Sequence, residues 1–356
     1  MEVLEERPGA LEVSVAVEGE GTCPAIAYPA LVGPVGPGDR VLLNTTAVAL
    51  GLGTGGLHFV VAVEGEEPPW HGAGEGRTMK LRYTPNQVQV QAAEEAGSPH
   101  RPALEGVTGL DGTPVVWVPL HSMVGPAVAG ARAAGASRVS YVMTDGAALA
   151  APLSRLAAAL RRTGLLDAVV SSGQAFGGDL EAVNTFTGLL AARAVAEADV
   201  VVVGDGPGNT GTDTMWGATD IESAAALNAA GILGGRPVAA LRVSFADPRE
   251  RHRGVSHHSL TALGRVVLIS AHVAVPSIHD ESRRAVVWDA LRAAGLEERH
   301  QLVEVPGGAA LDLLAHNGID AESMDRKVDD DPEFFLAAGA AGVLAGRMAA
   351  GGRTWR

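Results

Sequence analysis

The run DVVVVGDGPGNTGTDT (199–214) decides the fold, because four consecutive valines lead directly into a loop of glycine, asparagine, threonine and aspartate. A strand that is apolar on both faces is typical of a parallel sheet covered by helices on both sides. A helical stretch, IESAAALNAAG (221–231), follows the loop. The same order of strand, loop and helix recurs on both sides of this run, and it predicts a doubly wound α/β domain.

Seven apolar runs after residue 113 each precede a helical stretch rich in alanine or leucine. Most of these stretches end at a glycine, the usual C-terminal signal of a helix. We therefore assign residues 114–356 to one α/β domain with a mostly parallel sheet. The seven runs are VVWVPL (115–120), RVSYVMTD (138–145), DAVVSS (167–172), DVVVVGD (199–205), PVAALRVSF (237–245), RVVLISAHVAV (265–275) and HQLVEVP (300–306).

Residues 1–95 differ in composition, with short apolar runs separated by glycine and proline. The segment LEVSVAVE (11–18) alternates apolar and polar residues, as a half-buried strand does. Short strands at close spacing predict a small β-rich, barrel-like domain. Residues 96–113 then form the crossing to the α/β domain.

Charge and hydropathy exclude several classes of function. The 356 residues include 41 acidic and 27 basic side chains, which gives a net charge of −14. Such a chain lacks the basic footprint of general nucleic-acid or acidic-membrane binding. The acidic start MEVLEERPGA (1–10) is unlike a signal peptide, and the apolar runs are shorter than a membrane helix needs. We expect a soluble cytoplasmic protein.

The single cysteine, Cys23, rules out an internal disulfide and a metal site with several cysteines. No histidine is adjacent to it in sequence, so we interpret Cys23 as a packing residue. His58 lies outside the polar loops of the α/β domain, and we interpret it as an ordinary surface or core histidine.

The residue types that carry chemistry gather directly after the strand-like runs. In an open parallel sheet, ligands bind outside the carboxyl ends of the strands, so we expect a ligand site at that edge. Histidine can act there as acid, base or metal ligand, and aspartate can orient a histidine, activate water or hold a cation. The candidate catalytic residues are His252, His257, His258, Asp145 and Asp205.

The glycine-rich loop after the valine strand is the candidate anion-binding element. Glycines let the backbone approach a ligand closely, and successive amides can form an anion-binding nest. The loop lacks the GK[ST] ending of a nucleotide-hydrolase phosphate loop and does not fit GxGxxG cleanly, and a structural turn is the alternative. The candidate ligand-binding residues of this loop are Gly206, Gly208, Asn209, Thr210, Gly211 and Thr212.

The segment DPRERHRGVSHHSLTALGR (247–265) concentrates positive charge in an acidic protein. Arg249, Arg251 and Arg253 are candidate ligand-binding residues, because local positive potential attracts an anionic substrate. Ser256 is a candidate helix N-cap, which would place the two following histidines in the first helical turn. The alternative is a solvated basic turn paired with acidic neighbours.

A divalent metal is a candidate cofactor at the same edge, with His257, His272 and Asp213 as ligands. Imidazole and carboxylate suit zinc, manganese or iron. The spacing matches no standard zinc motif, and adjacent histidines such as His257 and His258 do not easily point inward together.

Several long runs resemble an uncharacterised bacterial family, domain of unknown function 3866. The resemblance extends along most of the chain and implies no activity, cofactor or catalytic residue. The runs that carry it include GDRVLLNTTAVALGLGTGG (38–56), QAFGGDLEAVNTF (174–186), GPGNTGTDTMWGATDIESAAALNAAGILGG (206–235) and RVSFADPRERHRGVSHHSLTAL (242–263).

Two functional hypotheses follow from these residues. The first is an enzyme, a hydrolase or transferase, that binds a small anionic ligand, phosphorylated or nucleotide-like, at the carboxyl edge of the sheet. The alternative is a non-catalytic metabolite sensor, which would bind a ligand without forming product. We also expect a homo-oligomer, since the helices are rich in glycine and alanine and suited to close packing.

Overall fold

The computed structural model describes residues 2–67 and 76–351, and the chain divides into two compact units, Met1–Ser98 and Pro99–Arg356. Each unit has its own sheet. The N-terminal unit is β-rich and the second unit is α/β, which confirms the predicted fold class.

The N-terminal unit contains a five-stranded mixed sheet in the order β1-β2-β3-β5-β4. Strands β3 and β5 are parallel and the other neighbours are antiparallel. Its core is aliphatic, with Val13, Val15, Ala25, Ala27 and Val60 at the centre. The elements are β1 (Glu2–Arg7), β2 (Ala10–Val17), β3 (Gly21–Ala27), α1 (Pro29–Val32), β4 (Val41–Asn44), α2 (Thr46–Ala49), β5 (His58–Val63), β6 (Thr78–Lys80) and β7 (Val88–Val90).

The strands of the α/β unit form one large sheet and two small antiparallel pairs, β14 with β15 and β18 with β19. They are β8 (Pro114–Trp117), β9 (Val139–Thr144), β10 (Ala168–Ser171), β11 (Leu180–Glu181), β12 (Val200–Asp205), β13 (Arg236–Ala240), β14 (Val243–Ser244), β15 (Gly254–Val255), β16 (His272–Pro276), β17 (Gln301–Val305), β18 (Glu322–Ser323) and β19 (Arg326–Lys327).

The helices of this unit begin with the short α3 (Arg101–Leu104). The others are α4 (Val124–Ala133), α5 (Arg155–Arg162), α6 (Thr185–Ala194), α7 (Thr219–Ser223), α8 (Ala225–Ile232), α9 (His257–Thr261), α10 (Glu281–Ala293), α11 (Leu296–Arg299), α12 (Gly308–His316) and α13 (Pro332–Ala350).

The large sheet has eight strands in the order β11-β10-β9-β12-β8-β13-β16-β17, and all neighbours are parallel. Each of the seven predicted runs overlaps one strand of this sheet. The eighth, β11, is a two-residue edge strand inside a stretch that the sequence pattern assigned to a helix.

The run 265–275 becomes a strand only at its end. Residues Ala262–Val266 form a π-helical turn, and β16 begins at His272. The Asn228 side chain donates to the Val266 carbonyl and accepts from the Leu268 amide, so it satisfies backbone groups that a longer strand would have paired.

Two groups of helices cover the sheet. Helices α4, α12 and α13 pack on one another. Helices α6 and α8 form the other group, in which α6 packs on β9 and β10 and α8 packs on β8 and β13. The close contact of α4 with α13 requires glycine, because a Cβ at Gly342 would overlap the Ala127 carbonyl. Helix α13 has the length and hydropathy of a membrane span, but 78% of that apolar window is buried, as in a core helix of a soluble protein.

The strand order reverses at the centre of the sheet. Strands β12 and β13 follow each other in the chain, yet they lie on opposite sides of β8. Loops that leave such strands diverge at their carboxyl ends, and the crevice between them is where open α/β sheets bind ligands. The loop after β12 and the segment after β13 carry most of the candidate site residues.

Candidate functional site

Three histidines meet at the carboxyl edge of the sheet. His252 ends a 3₁₀ turn after β14, whereas His257 and His258 begin α9. One ring nitrogen from each lies within 4.8 Å of the other two. The ring centroid of His252 is 5.3 Å from that of His257 and 5.6 Å from that of His258. We call this group the three-histidine cluster.

The cluster is held in its uncharged form. Burial lowers the pKa of His252 to about 3 and that of His257 to about 4, and it also lowers the pKa of His258. The positive charge of Arg242 acts in the same direction on all three rings. Neutral imidazole is the form that binds metal ions.

The three rings of the cluster differ in their hydrogen-bond partners. His258 Nε2 is 3.1 Å from the Thr214 carbonyl, which can only accept, so Nε2 carries the proton and Nδ1 keeps its lone pair. His252 Nδ1 is 2.9 Å from Ser256 Oγ, a hydroxyl that can donate or accept, so this contact holds the ring in place in either tautomer. Among the described residues, the buried Nε2 of His257 has no hydrogen-bond partner.

Ser256 precedes α9 as predicted, but its hydroxyl does not cap the helix. The Ser256 side chain is instead fully buried against His252. A partner of this kind fixes ring orientation, as outer hydrogen bonds do for metal-bound histidines.

The basic segment contains one buried carboxylate, Asp247, that forms ion pairs with three arginines, the third being Arg326 at 3.6 Å. Asp247 Oδ2 lies 3.1 Å from Arg242 Nη2 and 2.8 Å from Arg249 Nη2, while its Oδ1 accepts from Arg249 Nε. Burial opposes ionisation of Asp247, but these hydrogen bonds and charges hold its pKa well below the usual range. One carboxylate offsets only part of the positive charge of these guanidiniums, so the segment keeps a net positive charge next to the histidines.

The other two candidate arginines differ in exposure. Arg251 is half-buried, and its buried Nε has no partner within the described ranges. Its charge lowers the pKa of both His257 and His258, so it lies close to the cluster. Arg253 is exposed. Of the predicted arginines, Arg251 has the free donor beside the histidines.

Hydrogen bonds from Asn209 tie the start of the glycine-rich loop to the surrounding elements. The Asn209 amide donates to Asp205 Oδ2 and Thr219 Oγ1 and accepts from the His121 backbone amide. Gly208 has a φ of +87°, a conformation that favours glycine. The loop also reaches the cluster, because a Cβ at Gly211 would lie 3.3 Å from His258 Cε1.

The remaining residues of this loop lie in an internally paired hairpin. Thr212 hydroxyl and amide both bond to the Gly217 carbonyl, and Thr219 amide donates to the Thr210 carbonyl. Residues 210–216 are exposed, including the large side chain of Trp216. Gly206, at the start of the loop, is buried.

The two candidate catalytic aspartates lie apart from the cluster. Asp205 is buried and accepts from Thr144 Oγ1 at 2.6 Å and from the Gly146 amide at 3.2 Å. Burial raises its pKa to about 6. Asp145 is exposed and accepts from the Gln174 amide. Both carboxylates hold neighbouring loops together.

Sequence reasoning missed one buried residue of the site, Arg242, whose neighbour Asp220 is a buried carboxylate in the first turn of α7. Arg242 is buried and lies within an apolar stretch of sequence. Its charge acts on Asp220 and on all three rings of the cluster. Burial raises the pKa of Asp220 to about 6, and its Oδ2 has no hydrogen-bond partner in the part of the chain described. The sequence feature that could have indicated Arg242 is a charged residue inside the otherwise apolar run PVAALRVSF (237–245).

The structure groups the candidate metal ligands differently from the sequence. His257 joins His252 and His258, and neither His272 nor Asp213 belongs to this group. His272 is the first residue of β16, at the amino end of the strand, where burial lowers its pKa and the Pro237 backbone is its partner. Asp213 is exposed, and its charge acts on His257.

Fold and site together define an α/β protein with a buried histidine cluster at the carboxyl edge of a parallel sheet. The chain belongs to the family described as protein of unknown function (DUF3866), whose model matches residues 24–342. Comparisons with curated proteins and with solved structures give no significant match.

Proposed function

We propose that the α/β unit is a metal-dependent enzyme that binds a small anionic substrate, phosphorylated or nucleotide-like, and hydrolyses it or transfers a group. The observation that carries this proposal is the three-histidine cluster, with one nitrogen of each ring within 4.8 Å of the others. It lies beside the crevice where the strand order reverses.

Three neutral imidazoles suit a divalent transition metal, and Zn²⁺ is the best match to a set of three nitrogens with one open position. A bound Zn²⁺ lowers the pKa of its water to about 7 and supplies a hydroxide nucleophile. The role of the chain is then to orient the rings through Ser256 and the Thr214 carbonyl.

Arg251 is the anion-binding side chain in this proposal. Its buried Nε has no hydrogen-bond partner among the described residues, and its charge acts on two rings of the cluster, whereas Arg249 is ion-paired with Asp247. A guanidinium next to a metal can bind the oxygens of a phosphoryl or carboxylate group. Because the whole chain carries a net charge of −14, this local positive potential directs an anion to the cluster rather than to the rest of the surface.

Asp220 is a candidate for proton transfer. It is buried beside Arg242, and its pKa of about 6 lies near neutral pH, where a carboxyl can both accept and donate a proton. Asp205, which is bonded by Thr144, Gly146 and Asn209, positions the loop.

The first experiment is elemental analysis of untagged protein purified without chelator, followed by hydrolysis assays with phosphomonoesters, phosphodiesters and amides. We expect His257→Ala to lower the metal content by about one equivalent per chain and to abolish turnover. The control is His279→Ala, which changes an exposed histidine outside the cluster.

The outcomes separate the two hypotheses. Metal-dependent turnover lost in His257→Ala supports the enzyme. Saturable binding of a phosphorylated compound without product supports the sensor instead. Equal metal content in His257→Ala and the wild type would contradict the metal centre.

A further inference from the structure

Three side chains of the N-terminal unit, two from residues 20–23 and one from the distant strand β5, place three different ligand types together. They are the carboxylate of Glu20, the thiol of Cys23 and the imidazole of His58. One ligand atom from each lies within 4.8 Å of the other two.

The strand register explains why Cys23 and His58 meet. Ala25 of β3 pairs with His58 of the parallel strand β5, and Cys23 precedes Ala25 by two residues. Residues two apart on a strand face the same side, so Cys23 shares the core side with Ala25. Glu20 ends the turn from β2 to β3, directly before Gly21 with its φ of +82°.

An independent observation at this position indicates a missing ligand. The His58 side chain is 5% exposed, and its Nδ1 is buried without a hydrogen-bond partner among the residues described. A buried polar atom without a partner costs free energy, and coordination of an ion would satisfy it. Packing alone explains Cys23, but it does not explain the orphaned nitrogen of His58.

We propose that Glu20, Cys23 and His58 form a second metal site that binds Zn²⁺, separate from the three-histidine cluster. Sulfur, nitrogen and oxygen ligands in one group are typical of zinc, and three protein ligands leave a fourth position for water. On binding, the Cys23 thiol loses its proton to the solvent and the sulfur coordinates the ion as thiolate. The ion would connect the turn between β2 and β3 to the start of β5.

The test is a titration of the metal-free, full-length protein with Co²⁺, followed by displacement with Zn²⁺. A thiolate bound to Co²⁺ gives a near-ultraviolet charge-transfer band, and Cys23 is the single cysteine of the chain. The band therefore reports this site alone. We expect it to saturate within about two equivalents per chain, because the three-histidine cluster also takes up Co²⁺, and to disappear on addition of Zn²⁺.

Variants identify the other ligands. Cys23→Ser should abolish the band, and Glu20→Gln should weaken Co²⁺ binding by at least about tenfold, since even the loss of an outer partner has an effect of this size. Glu18→Gln is the matched control, because Glu18 is an exposed carboxylate in the same turn. Glu20 is also exposed, so its replacement does not depend on refolding the core.

Two results would overturn the proposal. One is the absence of the band in the wild type. The other is equal Co²⁺ affinity in Glu18→Gln and Glu20→Gln, which would remove Glu20 from the ligand set and contradict the three-residue site. His257→Ala should retain the band, so this proposal and the proposed function fail independently.

Discussion

The imidazole rings of His257 and His258 lie 3.9 Å apart between centroids, with their planes 31° from parallel. Successive residues of a helix normally point about 100° apart. These two begin the one-turn helix α9, where both rings turn towards His252. The expectation that adjacent histidines do not easily point inward together was wrong. Burial lowers the pKa of both rings, and the charge of His258 lowers the pKa of His257 further, so the pair stays neutral.

We expect Ser256→Ala to weaken metal binding by about tenfold while the fold is retained, because the hydroxyl that orients His252 is lost. Titration of the metal-free variant with Zn²⁺, monitored by calorimetry, measures the effect. Ser282→Ala is the control, since that hydroxyl bonds Asp280 at the start of α10. Unchanged affinity in Ser256→Ala would show that the serine does not orient a ligand.

We expect Arg251→Ala to weaken binding of inorganic phosphate to the zinc-loaded protein by at least about tenfold, the effect of one hydrogen bond from a charged donor. Arg253→Ala removes the same charge from an exposed position two residues away and should have little effect. Equal losses in the two variants would indicate general electrostatic attraction rather than a contact at Arg251.

Asp220 is expected to make the free energy of unfolding fall as the pH rises from about 4 to about 6. Burial raises its folded pKa to about 6 from 3.8, so in this window the folded chain keeps a proton that the unfolded chain has released. A shift of this size corresponds to roughly 3 kcal/mol. Asp220→Asn should therefore gain stability relative to the wild type between pH 4 and pH 7, measured by urea unfolding.

The control for this pH dependence has the opposite sign. Hydrogen bonds from Ser282 and Arg283 lower the pKa of Asp280 at the start of α10, so its contribution is present at higher pH and is lost as the pH falls. Asp280→Asn should lose stability relative to the wild type as the pH rises. Parallel pH profiles for Asp220→Asn and the wild type would refute the assignment.

Gly342→Ala is expected to destabilise the α/β unit by about 2 kcal/mol, the typical cost of overpacking, because the added methyl overlaps the Ala127 backbone of α4. Gly308→Ala, at the start of α12, places its methyl in open space and should be neutral or slightly stabilising. Thermal unfolding of both variants measures the difference. A Gly342→Ala protein as stable as Gly308→Ala would contradict the close packing of α4 on α13.

The sequence predicted at which edge of the sheet the histidines lie, but it predicted less well which side chains contact one another there. Polar residues after apolar strands indicated the carboxyl edge of the sheet, because parallel strands bring these ends together. The pairing of Arg249 with Asp247 was not visible, since a short loop can direct a guanidinium either to a nearby carboxylate or outward. The placement of His272 at an amino end depended on where β16 begins, and the turn at Ala262–Val266 decided that.

The sequence by itself determined the two kinds of sheet, because strand periodicity and the burial of apolar side chains are properties of local residue order. The valine run of β12 is buried along its whole length, whereas β2 is buried only in part. The tertiary structure alone decided which polar groups meet. Cys23 reaches His58 through a parallel strand pair, and His252 reaches His257 through a turn, because contacts across strands and loops depend on register and not on distance along the chain.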